Sequence, residues 1–193
     1  MKSGFLISCN RGRDKQARTE ALRLLYLTIV NTNDNNKDLA IEDSIKNEKE
    51  HLTKLFSYTS LKKIKSLFLI ENKSDIIPTE IYTRLRDLNL CTKEVHRIIP
   101  LNKITSHNYK DMILSLCYEL NKTTSMTYKI LFEYRLCDKK IKEEIFEIIT
   151  STVELKVCLD NPDYIFIVEV MKKHVGASII KNDGSNFNFR ISK

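Results

Sequence analysis

The chain has 193 residues, 42% hydrophobic and 30% charged, with 32 Lys/Arg against 25 Asp/Glu and a formal net charge of +7. That is enough apolar material for one large domain or two small packed ones, and no run of about 18 uncharged apolar residues is present to cross a membrane. The five cysteines (Cys9, Cys91, Cys117, Cys137 and Cys158) stand far apart with no CxxC pair, which speaks against a structural zinc site and for buried free thiols.

Gly4–Cys9 is expected as a short buried strand. Asp14 opens a helix to about Val30, with Ala17, Ala21, Leu24 and Leu25 on the apolar face and Arg18 and Arg23 on the basic face. Residues 31–36 are a polar breaker, and the acidic stretch to Glu50 reads as a loop or weak helix. His51–Leu61 is expected as a helix through Leu52, Leu55 and Phe56, and Ile64–Ile70 as a strand. Pro78 opens a helix over Ile77–Leu88, faced by Ile77, Ile81, Leu85 and Leu88.

Val95–Ile99 is expected as a strand ended by Pro100. A helix follows from about Asn108 to Leu120 with the stripe Tyr109, Met112, Ile113, Leu116, Leu120. Met126–Arg135 alternates as a strand, with Tyr128, Ile130, Phe132 and Tyr134 on one face. Asp138 caps a helix with Ile141, Ile145, Ile148 and Ile149. Val153–Leu159 alternates again, and Asn161-Pro162-Asp163 is a turn. Tyr164–Met171 is apolar apart from Glu169, as a central strand is. Ala177–Lys181 is a further strand, Asn182-Asp183-Gly184-Ser185 a turn, and Phe187, Phe189 and Ile191 alternate on a last strand. The order suggests an α+β part over residues 1–70, with residues 31–50 an acidic polar insert, and an α/β layer over residues 71–193 containing parallel strand pairs.

The charge is unevenly spread. Residues 1–30 carry six Lys/Arg against two Asp/Glu, residues 31–50 three against six, residues 51–110 eleven against five, and the remainder twelve against twelve. A positive first half suggests a polyanionic partner, although a solvated lysine-rich surface has the same composition.

No reaction centre stands out. The four glycines, Gly4, Gly12, Gly176 and Gly184, form neither a GxGxxG nor a GxxxxGK[ST] loop, where a side chain would clash with bound phosphate. His51, His96, His107 and His174 make no HxH or HExxH set, and no GxSxG elbow occurs. Neither a catalytic residue nor a metal ligand is therefore assigned, and no cofactor is expected. Glu143-Glu144 fit the wet face of a helix, and most tyrosines fall on apolar stripes.

Basic residues at element ends remain. Asn10-Arg11-Gly12-Arg13-Asp14-Lys15 joins the first strand to a helix N-terminus, where free N–H groups and the helix dipole favour an anion; the same residues also fit an exposed turn of solvated arginines. Arg84 and Arg86 lie on the helix after Pro78. Arg97 lies on the strand before Pro100, with Lys103 and Lys110 beyond. Lys172 and Lys173 follow the most apolar strand, at the strand end where α/β layers gather ligands, and also fit a basic turn. These ten are the candidate RNA-binding residues.

Several segments together resemble a known family. Gly4-Phe5-Leu6-Ile7-Ser8-Cys9 with the basic turn after it resembles the "G-F-L-x-[ST]-C" opening of the eukaryotic THUMP-containing tRNA acetylation adaptors. Leu67–Ile70, Arg97-Ile98-Ile99-Pro100-Leu101, Tyr128–Ile130 and Phe132–Arg135 resemble the family's succeeding segments. Lys156–Tyr164 running into Ile167–Lys172 and Gly176–Ile180 is similar to its "V-D-L-x-N-P-x-Y … V-V-E-I-x-K … S-V-V" end. Cys158 stands where the family has an acidic residue, and long charged tails are missing.

The resemblance implies a ferredoxin-like N-terminal domain followed by a THUMP domain. It implies a non-catalytic, tRNA-binding role with serine and leucine tRNAs. The partner would be a separate RNA cytidine acetyltransferase that makes 4-acetylcytidine in the D arm. Arg97 and Lys172 become possible RNA contacts and Pro100 a structural residue. A nuclear, nucleolar or cytoplasmic protein is expected, neither secreted nor membrane-bound, since Phe5–Ile7 is too short for a signal segment. Two rival readings stay open: an RNA-modifying enzyme acting alone, and a protein–protein scaffold with an incidental basic surface.

Overall fold

Alternating apolar runs and helical stripes assemble into eight strands and four principal helices in the computed structural model, which describes residues 1–30, 52–61, 64–136, 139–184 and 187–189. The acidic insert, His51, Cys137, Asp138 and Ile191 lie outside the described residues. The chain divides into two compact units, one of Ser3–Pro100 with the segment from Phe187, the other of Leu101–Asn186 with Met1–Lys2.

The first unit contains β1 (Lys2–Cys9), α1 (Asp14–Val30), β2 (Phe56–Ser60), β3 (Leu67–Asn72), α2 (Pro78–Asp87) and the first half of β4 (Val95–Thr105). Its strands run β2-β3-β1-β4, with β3 antiparallel to both β1 and β2. This β-α-β-β-α-β order is ferredoxin-like. Phe5, Leu6 and Ile7 are all fully buried, so both faces of β1 are covered. Gly4 is required there, because a Cβ would lie 2.1 Å from the Ile70 carbonyl oxygen. α1 and α2 pack on each other, and Tyr82 of α2 stacks near Phe187 and Phe189 at 5.4 and 6.0 Å between ring centroids.

The ferredoxin-like motif closes at Pro100, whereas the boundary read from the sequence, residue 70, falls inside its third strand. The helix expected over His51–Leu61 is a correction: of its described residues, 52–55 are helical and Phe56–Ser60 is a strand. Leu52, Leu55 and Phe56 have helical spacing, but Phe56-Ser57-Tyr58-Thr59 is also β-prone, and the ladder to β3 decides. Pro100 does not end β4, which continues to Thr105; proline forfeits one N–H but keeps its carbonyl. Of the expected last strand, the described residues 187–189 form one bridge, Asn188 to Arg97.

The second unit contains the remainder of β4, α3 (Tyr109–Asn121), β5 (Thr127–Arg135), α4 (Lys139–Thr152), β6 (Lys156–Val157), β7 (Tyr164–Met171) and β8 (His174–Lys181). Its strands run β4-β8-β7-β5-β6. β5 is parallel to β7 and β6, while β7–β8 and β4–β8 are antiparallel. α4 is thus the crossover from β5 to the parallel β6. The core joins Met112, Ile113, Leu116 and Leu120 of α3 and Ile145 and Ile149 of α4 to Tyr128, Phe166, Val168 and Val170 of the sheet. Val153–Leu159 shortens to the two residues of β6, and β8 starts earlier than Ala177, at His174. No helix among the described residues is long and apolar enough to cross a membrane.

Candidate nucleic-acid interface

In the first unit the basic turn is built on a locked backbone. Arg13 N–H donates to the Asn10 carbonyl at 3.1 Å, and Gly12 supplies the positive φ of +76° that the turn requires. Asn10 anchors the turn to the segment before β4. Its N–H donates to the Glu94 carbonyl at 3.0 Å, and its amide donates to the Lys93 carbonyl and the Glu94 carboxylate. Its Oδ1 meets His96 Nε2 at 2.8 Å. Glu20 of α1 completes the lock by accepting the backbone N–H groups of Lys93, Glu94 and Val95 at 2.7, 2.9 and 2.8 Å.

Arg11 and Arg13 of this turn and Lys15 at the start of α1 are exposed, and none forms an ion pair or side-chain hydrogen bond among the described residues. The helix dipole adds its positive end, with Asp14 in the first turn the local counter-charge. Beneath the turn, the Cys9 thiol is pushed up to about 11 by burial, with Asp14 and Glu94 adding to the effect, which disfavours the thiolate. An open groove of about 750 Å³ runs along α1 between Lys15, Thr19, Arg23, Leu24, Leu27, Leu90 and Cys91.

The other candidates of this unit differ. Arg84 pairs with Glu80 at 2.5 Å. Arg86 donates to the Asn188 carbonyl at 3.2 Å and lies 5.3 Å from the Phe189 ring centroid, so it ties down the C-terminal segment. Arg97 is exposed, but it alternates with His96 and so points to the sheet face opposite the Asn10 lock. Arg18, read from the sequence only as part of a basic helix face, lies over Tyr58 at 4.4 Å, a cation–π contact that no sequence spacing announces.

In the second unit Lys103 donates to Ser115 at 2.9 Å. Lys110 pairs with Glu144 at 2.9 Å, which also accepts from Tyr109 OH at 2.7 Å. The Glu144 carboxyl is held down by the Tyr109 hydrogen bond and then by Lys110, and Tyr109 is pushed up to about 12, first by burial and then by Glu144. Lys110 therefore clasps α3 to α4.

Lys172 and Lys173 form the tight link of the β7–β8 hairpin, closed by the Met171–His174 pair, and both are exposed without partners among the described residues. Lys172 takes φ +56°, and its N–H donates to the Arg135 carbonyl at 2.9 Å. Burial, and then Lys2, depress the His174 pKa. Lys2 thus joins this cationic tip, a neighbour that sequence separation hides. Arg135 does not add to it, because Arg135 is neutralised by buried Glu169 at 2.8 Å.

Of the ten candidates, Arg11, Arg13, Lys15, Arg97, Lys172 and Lys173 have free cationic ends among the described residues, while Arg84, Arg86, Lys103 and Lys110 are engaged within the fold. No group of three or more His, Cys, Asp or Glu residues poised for a metal ion occurs among the described residues.

No family model matches the chain, and no curated protein matches it. Among solved structures, it is similar to PH1313 from Pyrococcus horikoshii Ot3 at 13% identity and a TM-score of 0.47, covering 95% of this chain and 56% of that one. It is also similar to a 4-thiouridine synthetase solved in complex with RNA and ATP, at 16% identity and a TM-score of 0.46, covering 94% and 42%. TrmN from Thermus thermophilus aligns at 9% identity and a TM-score of 0.41, covering 91% and 44%. The chain spans only about half the length of these proteins or less.

Proposed function

We propose that this chain is a non-catalytic tRNA-binding adaptor that presents tRNA, of the serine and leucine type, to a separate cytidine acetyltransferase for 4-acetylcytidine formation in the D arm. The observation that carries the reading is the β1–α1 turn: Arg11, Arg13 and Lys15 stand without a partner among the described residues, on a backbone locked by Asn10 and Glu20. Cations pre-positioned on a rigid turn bind phosphate with little ordering cost. Lys172 and Lys173 give a second phosphate contact of the same kind. The ordered sequence resemblance from Gly4 to Ile180 supplies the specific role. The absence of any glycine-rich phosphate loop from the sequence agrees with chemistry carried by another polypeptide.

A gel-shift titration with tRNA at about 50 and 200 mM salt tests the reading. Six phosphate contacts predict a loss of affinity on the order of 10³-fold across that range. Arg97→Glu and Lys172→Glu should each weaken binding further at the lower salt. Absence of binding, or binding insensitive to salt, contradicts the proposal. Turnover of tRNA by the purified chain with acetyl-CoA, ATP or a methyl donor would make it an enzyme instead.

A further inference from the structure

We propose that the outer edge of β5 is a docking site for an extended segment of a partner protein, one that carries apolar residues and carboxylates two positions apart on the same face. The inference goes beyond RNA binding and does not rest on it. β7 flanks β5 from Tyr128 to Arg135, but on the other side β6 covers only Thr127 and Tyr128. The Tyr128 carbonyl accepts from Cys158 N–H at 2.9 Å, so even-numbered residues of β5 direct their backbone groups outward and odd-numbered ones toward β7. The Arg135 carbonyl, which receives Lys172 N–H at 2.9 Å, fits this parity. The N–H and C=O groups of Ile130, Phe132 and Tyr134 are thus left without a strand partner among the described residues, an open template for an added strand.

The side chains around this edge suit a partner. Among the described residues nine large hydrophobic side chains are exposed, and five of them (Met126, Tyr134, Leu136, Val157 and Leu159) lie on β5, on β6 or at their ends. Leu136, Val157 and Leu159 are 61%, 53% and 73% exposed, a concentration that marks an interaction surface rather than scatter. Phe132 lies 5.2 Å from Phe146 of α4 and 6.4 Å from Tyr134, between ring centroids. Lys142 Nζ stands 5.6 Å from the Tyr134 and Phe146 ring centroids and has no carboxylate partner among the described residues. Aromatic walls and an ammonium on the same sheet face fit an apolar side chain and an acidic one two positions apart, since only alternate residues of an added strand share a face.

A second copy of the chain fits the edge poorly. Antiparallel self-pairing centred on Phe132 sets Lys129 opposite Arg135, and centring on Glu133 sets that carboxylate against itself. Centring on Leu131 runs into the rung already held by β6. Like charges directly opposite are destabilising, which leaves a different protein as the occupant.

The probe is a labelled extended peptide of about ten residues in which every second position is taken in turn by valine and glutamate, with threonine between, titrated against the full chain by fluorescence anisotropy and amide hydrogen exchange, with the same peptide carrying lysine for glutamate as control. The acidic peptide should bind saturably and slow exchange at Ile130, Phe132 and Tyr134 by about tenfold or more. Lys142→Glu should weaken it about fivefold or more. Tyr134→Pro, which removes one outward N–H while sparing the β7 ladder, should abolish the protection; if that variant does not fold, Tyr134→Lys replaces it. Retention of tRNA should be unchanged throughout, so that the two readings fail separately. Failure to bind, equal binding of the lysine peptide, protection mapped elsewhere, or a self-associated dimer with these amides already protected would each overturn the proposal.

Discussion

A Cβ atom at Gly4 would meet the Ile70 carbonyl oxygen at 2.1 Å, so one hydrogen atom decides how closely β1 approaches β3. Gly4→Ala is expected to lower stability by about 1–3 kcal/mol, read as a lower urea midpoint at unchanged slope. Glu20 carries comparable weight: Glu20→Ala leaves three backbone N–H groups of the loop before β4 without their acceptor. A cost of about 1–3 kcal/mol follows, with a parallel loss of tRNA affinity as the basic turn loosens. His174 gives a pH signature. Its folded pKa lies below the ordinary value of 6.5 because burial and Lys2 disfavour the charged form. The unfolded chain then binds more protons just below pH 6.5, so stability is complete above that pH and declines as pH falls through the window. His174→Gln should flatten that part of a thermal-melt pH series. The cationic residues were legible in the sequence. Their fates were not, since Lys110 is engaged by Glu144 and Arg86 by the Asn188 carbonyl, contacts made only when distant segments meet.

Helix α1 and strand β7 take the limits that periodicity predicts, because each has one unambiguous pattern and clear punctuation. Ambiguity returns where a pattern serves two structures. Leu52, Leu55 and Phe56 satisfy a helical stripe, yet Phe56 is a strand residue paired with Asn72. Phe56→Ala should therefore cost about 3–5 kcal/mol, since Phe56 is buried, while Leu52→Ala, at a half-buried position, should cost clearly less by thermal unfolding. A helix over residues 51–61 would make the two substitutions alike, since positions four apart share a face. Pro100 was read as a stop, which local propensity favours; strand pairing on either side of it carries β4 through.

On the scale of the molecule, formal charge and free charge differ. The sequence places its positive excess in residues 1–30 and 51–110, but folding neutralises part of it through pairs such as Arg84–Glu80 and Lys110–Glu144. It also frees a tip at Lys172-Lys173 in the half that is neutral by count. The ferredoxin-like order of the first unit was anticipated only through the family resemblance, because strand order is set by long-range pairing that no local pattern encodes. The central claim is that the unpaired cations of the β1–α1 turn and the β7–β8 hairpin hold tRNA. Ultraviolet crosslinking of tRNA to the purified full chain, with the attached peptides identified by mass spectrometry, tests it most directly. Crosslinks concentrated on the segments containing Arg11–Lys15 and Lys172-Lys173 are predicted; crosslinks that avoid both, on a protein that still binds tRNA, would contradict it.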